Sequence, residues 1–132
     1  GDVYKRQPFV MVGSDCGFVN RHGHPRGAGA FPKVIREYVR EKKMLTLMEA
    51  LRKMTVMPAE RVKLKYKGEI KEGNDADIVI FDENNIADGA TFENPTEAPK
   101  GIDYVIVNGH IAAEAGVVKS DNYGKYIRYK NR

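Results

Sequence analysis

Pro8-Phe9-Val10-Met11-Val12-Gly13-Ser14-Asp15 is an apolar run that ends on a single carboxylate. Its shortness, its β-branched and aromatic residues and the closing glycine predict a buried central strand over Phe9–Ser14. In parallel α/β folds, reactive groups gather at the carboxyl ends of strands, where rigid backbone meets a variable loop. The stretch therefore predicts an α/β fold and makes Asp15 the first candidate for chemistry. The competing role is a cap, because an aspartate after a strand commonly starts the next turn.

Outward from this run, Gly17–Ala30 is predicted to be a loop, since four glycines and Pro25 work against regular structure. Pro32 suits the first turn of a helix, where its missing N–H costs nothing. Behind it, Val34, Ile35, Tyr38 and Val39 fall on one face at helical spacing, with Lys33, Arg36, Glu37, Arg40 and Glu41 towards water. Thr46 and Glu49 have capping-box spacing and open a helix that turns Leu47, Ala50, Leu51 and Met54 inward. Thr55 and Pro58 stop it, and Pro58 starts a short turn through Arg61.

Near Lys63 the period changes from helical to alternating. Gly68 and Gly73 bracket a predicted short strand around Ile70, and Ala76–Phe81 is predicted as a buried strand. Ile102–Val107 and Ile111–Ala115 flank Asn108-Gly109, the pair a type I′ hairpin needs because both residues take positive φ. Asp82–Lys100, with Pro95 and Pro99, is predicted to be a polar surface excursion. Three segments follow: residues 1–7, which look foreign to what comes after and suggest that the chain begins mid-protein; an α/β part over 8–62; and a β part with a tail over 63–132.

The 132 residues suffice for one domain with a core, and 42% hydrophobic with 30% charged residues is ordinary for a soluble globular protein. No apolar run approaches the roughly 18 residues of a membrane span, so no membrane partner is expected. One cysteine, Cys16, excludes an internal disulfide and a cysteine-cluster zinc site, and fits a reducing, cytoplasmic compartment. The net charge of +4 is scattered over the lysines of the forties and sixties and the tail. A basic surface selects nucleic acid only when concentrated on one face, so no nucleic-acid partner is expected.

Other polar groups have weaker claims. His22-Gly23-His24 offers two imidazoles, but the surrounding loop does not fix their geometry, and a zinc site needs three or four pre-placed ligands. Arg26, stiffened by Pro25 and in the same loop as Asp15, is a candidate to grip a substrate carboxylate; a structural salt bridge is the alternative. Cys16 adjoins Asp15, whose charge disfavours a thiolate, so packing suits it better than nucleophilic attack. Gly27-Ala28-Gly29 lacks the rest of a dinucleotide fingerprint and signals only flexibility. Tyr123, Tyr126 and Tyr129, interleaved with Lys125, Arg128 and Lys130, have the pattern of a base-stacking surface, although such alternation is more often an edge strand or a packed tail.

With these residues in view, the chain resembles the carboxyl-terminal part of the N-acyl-D-amino-acid deacylases, the D-aminoacylase branch of the amidohydrolase superfamily. The resemblance is carried, in order, by Met11-Val12-Gly13-Ser14-Asp15, His24-Pro25-Arg26, Gly29–Val34, Tyr38–Glu41, Glu49–Thr55, Pro58–Arg61, Gly68–Asp82, Ala90–Pro95 and Tyr104–Gly109. Gly68–Asp82 marks only the wider superfamily; the Gly-Ser-Asp, His-Pro-Arg and Lys-Met-Thr stretches together are narrower. It implies the last strand and following helices of a metal-dependent (β/α)₈ barrel, then strands of a small β-sandwich. It also implies zinc as cofactor, an N-acylated D-amino acid as substrate, and Asp15 as the residue that contacts the metal centre and takes a proton from the hydrolytic water.

Two departures accompany the resemblance. Cys16 stands where a glycine usually follows the aspartate, and a complete barrel takes about 250 residues. The other metal ligands are thus expected upstream of residue 1, and the chain on its own is expected to be inactive. Two alternatives remain at this point: another amidohydrolase, dihydropyrimidinase-like or dihydroorotase-like, and a small basic nucleic-acid-binding module.

Overall fold

A computed structural model describes residues 2–17, 19, 22–119 and 122–128. A helical layer precedes one antiparallel sheet. The helices are α1 (Asp2–Lys5), α2 (Arg26–Lys33) with a π-helical continuation over Val34–Glu41, α3 (Leu47–Met54) and α4 (Val56–Arg61). The strands β1 (Ile78–Phe81), β2 (Ile102–Val107), β3 (His110–Glu114) and β4 (Val117–Val118) lie side by side in sequence order.

The apolar stripe behind Pro32 forms as expected. Ile35 and Tyr38 are buried, and Tyr38, Leu45 and Ala50 make a small core against which Val34, Val39, Met44 and Met54 pack. The N–H groups of Met44 and Leu45 both donate to the Tyr38 carbonyl, which turns the chain back into α3. Lys5 reaches from α1 to the Tyr38 ring, 4.1 Å from its centre, and to its hydroxyl.

The helix starts earlier than expected, at Arg26 instead of Pro32, and Pro32 is buried inside it. Pro25 occupies the N-cap position, and tertiary contact overrides the glycines that suggested a loop. Gly29 is no flexible joint: a Cβ there would lie 3.0 Å from the Asp88 Cβ, so glycine lets the excursion approach the helix. Beyond Pro32, which has no N–H to donate, the helix widens until the Lys42 N–H reaches the Glu37 carbonyl five residues back.

The capping box of α3 is complete. The Glu49 N–H donates to Thr46 Oγ1 at 3.2 Å, and the Thr46 N–H donates to Glu49 Oε2 at 2.7 Å. That second bond, from the Thr46 backbone, holds the Glu49 carboxyl below its ordinary range.

The expected central strand is different. Phe9–Ser14 forms no strand, because among the described residues no neighbouring strand pairs with it. Its burial nevertheless alternates: Val10, Val12, Ser14 and Cys16 are partly covered, while Phe9, Met11, Gly13 and Asp15 face outward. Its tie to the body is the Val12 N–H, which donates to the Lys53 carbonyl at 3.1 Å. The strand expected around Ile70 is also absent; that side chain is 87% exposed and unpaired residues surround it.

In the β part the hairpin is as expected, with Asn108 at φ 52° and Gly109 at φ 80°. β1 forms, but Val79 and Ile80 are exposed, so it is not the buried strand expected. Asp77 secures the hairpin by accepting the Asn108 N–H at 2.8 Å, and Lys67 reaches both Asp77 and Asp75. The bonds from Lys67 and then from Asn108 hold the Asp77 carboxyl low. Asp75 and Asp77 of the Gly68–Asp82 stretch are therefore structural.

Asp82–Lys100 is an ordered excursion without helix or strand. It buries Ile86 and Pro95 and closes on itself through the paired backbones of Ala87 and Lys100. Asp88 joins it to the helical layer by a 2.6 Å bond from Arg36 Nε, and Arg36 also grips Glu41. Burial raises the Asp88 carboxyl, but the bond and charge from Arg36 outweigh it, leaving a net downward shift. This contact is therefore fully present above about pH 4, the ordinary aspartate value, and is lost as pH falls through the lower folded value. Asp88→Asn is expected to remove about 1.5–3 kcal/mol at neutral pH, as for a hydrogen bond to a charged group, and to flatten the acid limb of a stability–pH curve. Urea titrations between pH 2.5 and 7 would show it; an unchanged acid limb would contradict the assignment.

The accessible surface is 9,727 Å² for 14.8 kDa, against about 7,000 Å² for a compact monomer of that mass. Phe9, Met48 and Phe92 are each more than 70% exposed. The core is thin because much of the apolar surface has nothing packed on it.

Candidate active site

Asp15 stands at the end of the apolar run with φ 44°, in the left-handed region that non-glycine residues seldom occupy. Such a backbone occurs at functional sites and also in turns, as at Asn108. The side chain is 97% exposed, and Arg26 Nη2 lies 3.5 Å from its Oδ2. At that distance and exposure the pair contributes at most about 1 kcal/mol. The carboxylate is thus held in place mainly by its backbone and is open to solvent.

Arg26 is the first residue of α2, so its backbone is fixed while its guanidinium projects to the loop. The Arg26 N–H donates to His24 Nδ1 at 3.1 Å. The His24 ring meets the Phe92 ring edge-on, with centroids 5.0 Å apart. Cys16 is half-buried, with Sγ 3.5 Å from the His24 carbonyl, which suits the packing role expected of it. His22 exchanges backbone hydrogen bonds with Val19, both at 2.9 Å. Residues 18, 20 and 21 lie outside the described residues, as do Tyr129 and Lys130 of the interleaved tail; Tyr123 of that tail stacks on His110 at 4.6 Å.

The structure therefore brings Asp15 and Arg26 together and places Cys16 and His24 beside them. Sequence reasoning missed Phe92, although it falls in the quoted Ala90–Pro95 stretch, because only folding closes the distance to His24. It also missed Lys53, which lies on the polar side of the helical pattern and yet is buried.

A zinc ion does not fit the described residues alone. No three histidine, cysteine, aspartate or glutamate side chains among them converge on a point. Asp15 is one ligand where three or four are needed, and the two imidazoles of the His22-Gly23-His24 loop do not complete a set with it.

Comparison with known proteins shows the family of the chain. The model of the amidohydrolase family matches residues 6–113. The N-acyl-D-glutamate deacylase of Alcaligenes xylosoxydans xylosoxydans is 46% identical over 99 residues, covering 75% of this chain and 20% of that enzyme. The D-aminoacylase of the same organism is 43% identical over 100 residues, covering 76% and 21%. The solved N-acyl-D-glutamate deacylase of Bordetella bronchiseptica, complexed with zinc and a phosphonate mimic of the tetrahedral intermediate, superposes with a TM-score of 0.81. It is 36% identical, with 88% of this chain and 26% of that one covered. The chain thus spans about a fifth of the length of the curated relatives it matches.

Proposed function

The chain belongs to the amidohydrolase family, and from that premise we propose that it forms the closing part of a zinc-dependent, cytoplasmic deacylase of N-acyl-D-amino acids. In this reading Phe9–Ser14 is the last barrel strand, the helices through Arg61 complete the barrel, and the sheet belongs to a small β-sandwich. The alternating burial of the run and the uncovered Phe9 and Met11 support it, since a barrel strand has neighbours on both sides. The large exposed apolar surface supports it as well.

One observation carries the chemistry: a carboxylate at a left-handed φ, ending an apolar run, with a guanidinium 3.5 Å away. Asp15 takes a proton from the attacking water and returns it to the leaving nitrogen, as a general base and then a general acid. The C–O bond forms, the amide C–N bond breaks, and a carboxylate and a free D-amino acid result. Arg26 swings from its loose contact with Asp15 to hold the substrate carboxylate through two parallel hydrogen bonds. The described residues supply too few ligands to hold zinc by themselves, so in this reading other segments of the protein complete the metal site around Asp15.

Residues 1–132 alone are therefore expected to bind no stoichiometric zinc and to show no turnover of N-acetyl-D-amino acids. Calorimetric zinc titration and an amine-release assay on the purified chain check this. Tight one-to-one zinc with measurable turnover would overturn the reading that other segments complete the site.

A further inference from the structure

We propose that Lys53 is the positioning residue that fixes the segment ending in Asp15. It lies in α3 and is only 5% exposed, whereas lysine is almost never buried unless its charge is partnered. No carboxylate among the described residues forms a salt bridge with it, Glu49 on the same helix acting on it only at longer range. Its ammonium instead donates to the backbone carbonyls of Gln7 and Val10, the latter at 3.0 Å. Its own carbonyl accepts the Val12 N–H at 3.1 Å. One residue thus holds the segment at three points, the last of them three residues before Asp15.

The chemistry explains why a lysine is placed here. A carbonyl away from water needs a donor, and among the described residues no strand pairs with Phe9–Ser14 to provide one. An ammonium with three donors bonds the Val10 carbonyl and adds a second donor to that of Gln7, which already accepts the Val10 N–H at 3.2 Å. α3 is a firm base for this contact: Thr46 and Glu49 cap its start, and Ala50, one turn before Lys53, is fully buried. Lys53 therefore transmits the position of the helix to the run that presents the carboxylate.

The catalytic meaning of this contact rests on the deacylase reading of Asp15, but the contact itself does not. The test uses nuclear magnetic resonance on the ¹⁵N-labelled full chain, so it is independent of turnover. In the wild type, the Lys53 ammonium is expected to exchange with water at least about tenfold more slowly than that of the exposed Lys43. In Lys53→Met, backbone order parameters over Val10–Asp15 are expected to fall from about 0.85 to below about 0.6, while those of α3 hold. A contribution to global stability alone would leave the segment ordered in the folded variant. Exchange as fast as that of Lys43, or an equally ordered segment in Lys53→Met, overturns the proposal. Should Lys53→Met not fold, the wild-type exchange rate decides. Failure of the deacylase reading would appear separately, as unchanged turnover on Asp15→Asn.

Discussion

Asp15→Asn, made in the proposed deacylase that carries this span, is expected to lower kcat on N-acetyl-D-amino acids by about 10²–10⁴-fold, the usual contribution of a positioned acid–base group. Asparagine keeps the size of the side chain and tolerates the left-handed backbone, so the change isolates the loss of a proton acceptor. Metal content, measured by atomic emission, is expected to stay at the wild-type level. KM is expected to move little, because Arg26 stands on α2 and, in the proposed reading, still meets the substrate carboxylate. Arg26→Met should do the reverse and mainly raise KM. A near-wild-type rate for Asp15→Asn would remove this carboxylate from the mechanism, whatever the family of the chain.

The largest effect on stability is expected at Gly101, where the excursion returns to the sheet. Its φ is 73°, and a Cβ there would lie 2.5 Å from the Ile86 N and 2.6 Å from the Asn85 carbonyl carbon. Both atoms are backbone and cannot rotate away. The Asp82 N–H also donates to the Gly101 carbonyl at 2.9 Å, so the turn is tied to the end of β1. Gly101→Ala combines left-handed strain of about 1–2 kcal/mol with overpacking of about 1–3 kcal/mol. The sum, roughly 2–5 kcal/mol, is a large part of the 5–15 kcal/mol that holds a typical domain together. Gly73→Ala is the control: its φ is 86°, yet nothing lies within 4 Å of the added atom, so only the strain term remains. Denaturant unfolding of the two variants should therefore separate them by at least about 1 kcal/mol. Equal losses would show that the Ile86 backbone yields easily.

Some of these features are legible in the chain because their causes are local. Thr46 and Glu49 cap a helix through bonds that span three residues, and Asn108-Gly109 makes its turn through two dihedrals. The stripe of Val34, Ile35, Tyr38 and Val39 follows from the helical period, whatever that period packs against. The candidate site was legible in part: Asp15 and Arg26 lie only 11 residues apart, across one short connection, so their proximity needs little folding to achieve.

The features that were misread depend on partners. Gly27 and Gly29 look like breakers, yet both are helical, and the missing side chain of Gly29 lets Asp88, far along the chain, lie against it. Ile70 is apolar and flanked by glycines but finds no strand to pair with. Phe9–Ser14 has the composition of a buried strand, and no ladder forms because ladder bonds come from a neighbouring strand. Phe92 beside His24, and Lys53 beneath the run, are tertiary placements with no local signature.

What the sequence by itself determined is the carboxylate at the end of an apolar run, the capped helix and the hairpin turn, since each rests on dihedral preferences or periodicity within a few residues; the family was marked separately, by the resemblance of whole stretches to known enzymes. Only the tertiary structure decided that Asp15 takes a left-handed backbone beside Arg26, that the excursion docks through Asp88, and that a buried lysine holds the run. Those outcomes depend on which distant groups satisfy one another's hydrogen bonds and charges, and such pairings exist only once the chain has folded.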